Sequence, residues 1–470
     1  MAGRRIVILG GGPGGYESAL VAARAGADVT VVDEGGLGGS AVRTDAVPSK
    51  TLVATAEVVR LAAEAAELGV RFAGRRASPQ VVGVDLAAVN ARVRELAAAQ
   101  SADIARRLAY LGVHVVAGRG RLDGPARVAV TSGPAAGEAY DADTVLVATG
   151  AHPRTLPGAT PDGERILTWT QLYGLSALPE RLVVVGSGVT GAEFASAYRV
   201  LGADVVLVSS RDRVLPGEDP DAAQVVEDVF ARRGMHVLAR SRAESVRREG
   251  DGVVVTLTDG RTVTGSHCLL AVGSVPNTAG LGLAEAGVTL DDRGYIEVDR
   301  VSRTTAPGVY AAGDCTGVLM LASVAAMAGR IAMYHALGEA VAPLDLRTVS
   351  STVFTDPEIA TVGASAADVA AGRVDARVVR LPLSANPRAK MQGVRDGFVK
   401  VFARPGTGTI VGGVVVAPRA SELVHPLALA VSLSLTVDQL ASAFTVYPSL
   451  SGSVAEAARM VPVSSPPPRA

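Results

Sequence analysis

Cysteine, lysine and net charge are all scarce in this chain, and each scarcity excludes a class of function. Two cysteines, Cys268 and Cys315, in 470 residues are too few for a disulfide scaffold and read as small core hydrophobes. A formal charge of -1 gives no electrostatic reason to bind nucleic acid or an anionic membrane. Uninterrupted apolar runs stay well short of about 18 residues, so no membrane span is expected. The start, MAGRRIVILGGG, has arginines before an apolar run as an export signal does, but glycines end that run after Leu9. It reads as a strand, and a cytoplasmic protein is expected. Nothing in the pattern points to a metal site. Only Lys50, Lys390 and Lys400 stand against 42 arginines. A chain that uses arginine wherever any cation will do keeps lysine where a compact ammonium is needed, which singles out Lys50.

What is present is an α/β pattern. A chain of 470 residues, 48% hydrophobic with 53 glycines, fits two to four domains of a soluble α/β enzyme. Arg4 to Leu9 runs into Gly10, Gly12 and Gly15, then the helix-compatible YESALVAARAG, then ADVTVVD ending at Asp33. Strand, GxGxxG, helix and strand make a βαβ unit whose glycines let a pyrophosphate approach a helix N-terminus, and whose acid can bond a ribose hydroxyl. LVVVGSGVTGAEF repeats the pattern with Gly186, Gly188 and Gly191. Two units imply two nucleotides. The second unit's closing strand ends in Ser209, Ser210, Arg211, Asp212 and Arg213. An acid there would repel a 2'-phosphate, whereas hydroxyls and guanidinium groups can bind one, so NADPH is expected to be preferred and NADH accepted. Thr51 to Gly69 and Asp85 to Leu111 carry apolar residues at helical spacing and are expected to pack on the first sheet. From Asp345 onward VVRLPL, FVKVFA and IVGGVVVA suggest an antiparallel sheet with helices. The proline-rich end, 462–470, is expected to be disordered.

The stretch LGGSAVRTDAVPSK, Leu37 to Lys50, resembles the LGGTCxNxGCxPSK site of the flavoprotein disulfide reductases, the family of dihydrolipoamide dehydrogenase and glutathione reductase. VLVATGAHPRTLP, CLLAVGSVPNT, GVYAAGDC, FTDPEIATVG and LPLSANPRAKM match that family in order, from about Arg4 to Met460. The resemblance implies two doubly wound dinucleotide-binding domains, 1–150 with 277–344 for FAD and 151–276 for NAD(P), and an α+β dimerisation domain at 345–461. It implies FAD contacts by Gly10, Gly12, Gly15, Asp33, Lys50, Gly120, Thr149, Gly150, Gly313 and Asp314. For the nicotinamide nucleotide it implies Gly186, Gly188, Gly191, Glu193, Ser209, Ser210, Arg211, Arg213 and Gly273. Lys50 and Glu193 resemble the pair beside the flavin and are the expected catalytic residues.

The same resemblance shows what is missing. Ala41 and Ala46 fill the two cysteine positions, and a methyl group can neither form a thiolate nor pass electrons. The family's HPTxSE reads YPSLSG here, with Tyr447 for the histidine and Gly452 for the glutamate. A tyrosine of ordinary pKa near 10 is a poor base at neutral pH. The disulfide half-reaction is gone while the nicotinamide half survives. The chain thus resembles the actinobacterial NAD(P)H quinone reductase branch, which implies a homodimer passing electrons from reduced flavin to a diffusible acceptor, a quinone by analogy. A soluble transhydrogenase, or a flavin-loaded binding or sensing protein of low turnover, are the other readings. The Tyr447-Pro448 bond is expected to be cis, as its counterpart in the family is.

Overall fold

The computed structural model describes residues 3–72, 75–76 and 82–462; the expected disordered end lies outside them apart from Pro462. The first sheet is built from β1 (Arg5–Leu9), β2 (Asp28–Asp33), β3 (His114–Ala117) and β4 (Thr144–Val147). Ile6 to Leu9 and Thr144 to Val147 are buried throughout, as expected of parallel strands covered on both faces, which read as continuous apolar runs. Helix α1 (Pro13–Arg24) connects β1 to β2, and α2 (Ala46–Glu64) and α3 (Leu86–Tyr110) follow.

The second sheet repeats the design. Its strands β5 (Ile166–Thr168), β6 (Arg181–Val185), β7 (Asp204–Val208), β8 (His236–Leu238) and β9 (His267–Leu270) lie parallel in the order β5-β9-β6-β7-β8. Helix α4 (Val189–Leu201) joins β6 to β7, and α5 (Pro220–Arg232) joins β7 to β8. The chain leaves the first sheet through 151–153 and returns through 274–276, and these two short strands pair antiparallel. Then β10 (Val309–Ala311) adds beside β4, completing the first sheet in the order β10-β4-β1-β2-β3. Helix α6 (Ala322–Ala336) lies on α1 so closely that a Cβ on Gly329 would run into Gly14 O and Ser18 Oγ.

The last unit is an antiparallel sheet of β11 (Ser350–Val353), β12 (Glu358–Gly363), β13 (Arg377–Pro382), β14 (Phe398–Ala403) and β15 (Ile410–Ala417), ordered β11-β12-β15-β14-β13. The three segments read as strands from Asp345 onward are thus β13, β14 and β15. Tyr447-Pro448 is cis, as is Asp356-Pro357.

One packing expectation is corrected. Leu52 and Ala56 of α2, with Leu86 and Val93 of α3, cluster with Leu172, Phe194, Tyr198 and Leu207 of the second unit, while Ile104 and Leu108 at the far end of α3 pack with the first sheet. Helical spacing reports that a face is apolar but not which partner covers it.

Two buried groups fasten the antiparallel unit to the second sheet. Lys400 on β14 places its Nζ 2.7 Å from both carboxylate oxygens of Asp219 and 2.8 Å from Asp221 Oδ2. The Lys400 and Asp219 side chains are 6% and 3% exposed, and Asp219 also caps α5 by accepting from Asp221 N and Ala222 N. Breaking a buried pair strands the remaining charge, which is costlier than losing the attraction itself. Lys400→Met should therefore lower unfolding stability by about 3–5 kcal/mol, while Lys390→Met, at an exposed position, should stay within about 0.5 kcal/mol. Equal denaturant midpoints for the two variants would contradict this assignment.

Candidate active site

The two glycine triplets are built alike. Gly10 and Gly186 have φ of +100° and +114°, and a Cβ on either would run into a backbone carbonyl, Ala148 O or Ala271 O. A Cβ on Gly15 or Gly191 would run into the carbonyl of the first glycine of its own triplet. The middle glycines differ. The nearest atom to a Cβ on Gly12 is 3.9 Å away, and Gly188 has nothing within 4 Å. First and third glycines therefore serve the turn and the packing of helix on strand, and the middle one leaves backbone N–H groups open to an anion at the head of α1 or α4. The Asp33 carboxylate accepts from Gly11 N at 2.7 Å and from Gly36 N, pinning two glycine-rich loops side by side.

The crossover closes the other end of this cleft. Thr149 Oγ1 donates to Asn277 O (2.7 Å), Asn277 Nδ2 donates to Thr149 O (2.9 Å), and Asn277 N donates to Gly150 O (3.0 Å). Gly150 and Gly273, with φ of +69° and +99°, have open space beside them. Gly313, φ +84°, turns the chain after β10 into Asp314, whose carboxyl is pushed up to about 6 by burial, with the charge of Asp45 adding. At Gly120 a Cβ would run into Leu9 Cδ2 and meet Val32 Cγ1 at 3.2 Å, so the core of the first unit requires a glycine at this place.

Lys50 and Glu193, 143 residues apart, meet at 2.8 Å between Nζ and Oε2. The lysine side chain is 31% exposed and the glutamate 5%. Glu193 Oε1 accepts from Phe354 N at 2.8 Å, and Lys50 Nζ lies 4.9 Å from the Phe354 ring centre, so the ammonium is held by a carboxylate and an aromatic face together. Ala41 lies in the short helix Gly39–Arg43, and Ala46 opens α2. Tyr173, buried close to this cluster, has its hydroxyl pKa pushed well up by burial, with Asp45 and Glu193 adding. Cys268 and Cys315 are free and buried. Burial raises both thiols, Cys315 to about 11, which leaves them protonated and inert.

The loop after β7 divides the residues expected to read a 2'-phosphate. Ser209 is fully buried. Its Oγ lies 2.7 Å from Ser187 Oγ and accepts from Arg211 N at 3.1 Å. These bonds shape the loop from within. Ser210 and Arg211 are exposed and Arg213 is half-buried. Tyr447 is 81% exposed, beside the equally bare Phe444 and Val446.

Two open helix heads, a half-buried acid at Gly313-Asp314 and a partly exposed ammonium together fit two dinucleotides. Among the described residues no cluster of His, Cys, Asp and Glu could hold a metal, and no helix is long and apolar enough to cross a membrane.

Known proteins share this architecture. The profile of the family Pyridine nucleotide-disulphide oxidoreductase matches residues 4–329, and that of its dimerisation domain matches residues 349–458. An NAD(P)H dehydrogenase (quinone) of Mycobacterium tuberculosis is 57% identical over 464 residues, 97% of this chain and 93% of that protein. A dihydrolipoyl dehydrogenase of Chlorobaculum tepidum is 34% identical over 457 residues, 96% of each. The crystal structure of LpdA from Mycobacterium tuberculosis superposes with a TM-score of 0.92 at 56% identity, covering 97% of this chain and 99% of that one.

The raised pKa of Asp314 gives a test of its expected place at the FAD ribityl chain. A ribityl hydroxyl donates more strongly to a carboxylate than to the protonated acid, so binding should favour the ionised form and protonation should oppose it. FAD affinity for the apoprotein, measured by calorimetry, should fall as pH drops through about 6. Asp314→Asn should flatten that dependence. An affinity that rises on acidification would contradict the assignment.

Proposed function

Because the chain belongs to the pyridine nucleotide-disulphide oxidoreductase family yet has alanine at both thiol positions, we propose that it is an FAD-dependent NAD(P)H dehydrogenase that passes electrons from reduced flavin directly to a quinone. The observation that carries this reading is the contrast at one site: the Lys50–Glu193 pair is intact at 2.8 Å beside Ala41 and Ala46, which offer only methyl groups. The name of the relative at 57% identity supports quinone as the acceptor.

In this reading residues 1–150 and 277–344 hold FAD, 151–276 hold the nicotinamide nucleotide and 345–461 dimerise. Bound FAD supplies an acceptor of hydride that can release one or two electrons. Gly12 and Gly188 leave backbone room for the two pyrophosphates, Asp33 and Asp314 accept from sugar hydroxyls, and Thr149 and Gly150 line the crossover. Lys50 presents a fixed positive charge that stabilises negative charge developing on reduction; Glu193 and Phe354 fix its place before the reaction begins, so no reorganisation is needed then. Ser210, Arg211 and Arg213 favour NADPH over NADH, since the position directly after β7 holds Ser209 and not an acid that would repel a 2'-phosphate. The exposed loop through Phe444, Val446 and Tyr447 lies within the dimerisation domain, which supports a homodimer.

Anaerobic NADPH should bleach the flavin without the long-wavelength charge-transfer band that a thiolate on flavin gives. Turnover should then proceed with a benzoquinone and not with lipoamide. Turnover with an oxidised NAD analogue but no quinone would make the protein a transhydrogenase instead.

Arg211→Ala should shift the NADPH to NADH ratio of kcat/KM toward NADH by about 1.5–3 kcal/mol, the range of a hydrogen bond to a charged group. Equal losses with both cofactors would remove Arg211 from the 2'-phosphate site.

A further inference from the structure

A helix leaves its first backbone N–H groups without partners, and an aspartate at the N-cap ordinarily satisfies them with its carboxylate. Two helices here follow that rule: Asp85 accepts from Ala88 N at the head of α3, and Asp219 from Asp221 N and Ala222 N at the head of α5. Asp45 holds the same position at the head of the 19-residue α2 and makes no such bond. Its backbone does the local work instead, donating N–H to Ser40 O (2.8 Å) and accepting from Ser49 N (2.7 Å). The carboxyl is therefore not used to cap the helix. Nor does the backbone path require it, since the pattern LGGTCxNxGCxPSK has glycine at this place.

The half-buried Asp45 side chain belongs to the charges of the flavin site. Its charge acts at a distance on Lys50 of its own helix, Glu193 on α4, Asp314 after β10 and Tyr173 in the turn before β6. Burial raises its pKa, Lys50 opposes that rise and Glu193 adds to it. A carboxyl in such surroundings is protonated at a higher pH than an exposed one, the direction that favours a proton donor. In sequence it directly precedes Ala46, so the acid stands next to one of the two places that lack a thiol.

We propose that Asp45 is a catalytic residue of the quinone-reducing step, the acid that delivers a proton to the acceptor on the face where Ala41 and Ala46 lie. This rests on the quinone reading above. Two electrons and one proton reach the quinone as a hydride from the reduced flavin, leaving a quinol monoanion. The O–H bond of Asp45 then breaks as the second quinol O–H bond forms. The flavin ends oxidised, the quinone ends as neutral quinol, and the Asp45 carboxylate takes its next proton from water. The acid form is the active one, so quinone turnover falls as pH rises through the Asp45 pKa.

The test compares the wild-type holoenzyme with Asp45→Asn, using a benzoquinone and ferricyanide, which takes electrons without protons. The ratio of quinone to ferricyanide turnover should fall about 100-fold, the lower end of what a positioned acid contributes. The alkaline fall in quinone turnover should disappear with it. Independently of turnover, a pH titration of the oxidised-flavin spectrum should show a transition in the wild type that Asp45→Asn lacks. Asp45→Glu should recover part of the ratio, and Asp45→Ser should reproduce the loss if the asparagine variant fails to load FAD. An unchanged ratio in a wild type that does reduce quinones would overturn the role of Asp45 alone. Ferricyanide turnover with no quinone turnover in the wild type would overturn the quinone reading itself.

Discussion

Glu193 is the carboxylate on which the arrangement of the site depends. One of its oxygens takes the ammonium of Lys50 and the other takes the backbone N–H of Phe354. Three distant stretches of chain meet there: α2 from the first unit, α4 from the second, and the end of β11 from the third. Ser196, three residues further along α4, adds a bond from Asp356 N at 3.3 Å, and Asp356 pairs with Arg60 of α2 and Arg233 at 2.7 Å each. A buried carboxylate is tolerable only when its lone pairs are taken. That requirement makes α4 the shaft against which the other two units are registered, and so fixes where Lys50 stands.

The use of lysine follows the same logic. Of the three lysines, two lie in inter-unit carboxylate pairs, Lys50 with Glu193 and Lys400 with Asp219. At the second of these the ammonium touches both oxygens of Asp219 and one of Asp221. A small cation with three freely rotating donors suits such a pocket better than a planar guanidinium. Most arginine pairings, such as Arg5 with Asp143 and Arg303 with Asp299, are exposed or half-exposed, where geometry is less constrained, and Arg60 with Asp356 is an exception.

Much of this was legible in the sequence because it is local. The glycine triplets, the apolar strands and the two serial βαβ units announce themselves within 30 or so residues, the span of one such unit. The motif PSK picked out Lys50. What stayed hidden depends on partners far away in the chain. Periodicity showed that α2 and α3 have apolar faces, but not that Phe194 and Tyr198 cover part of them. The bonds of the Ser209 hydroxyl to Ser187 and the Arg211 backbone, and the packing of Leu9 and Val32 at Gly120, also join parts that no local pattern connects. The scarcity that singled out Lys50 applies equally to Lys400, and an aspartate in place of a motif glycine was the available signal for Asp45.

The central claim is that electrons leave the reduced flavin for the acceptor without an intermediate carrier in the protein. Anaerobic rapid mixing of the NADPH-reduced wild-type holoenzyme with a benzoquinone, followed by flavin absorbance, tests it most directly. The account predicts reoxidation in a single phase at least as fast as steady-state quinone turnover, with no dithiol present. Reoxidation slower than turnover, or dependent on an added dithiol, would contradict it.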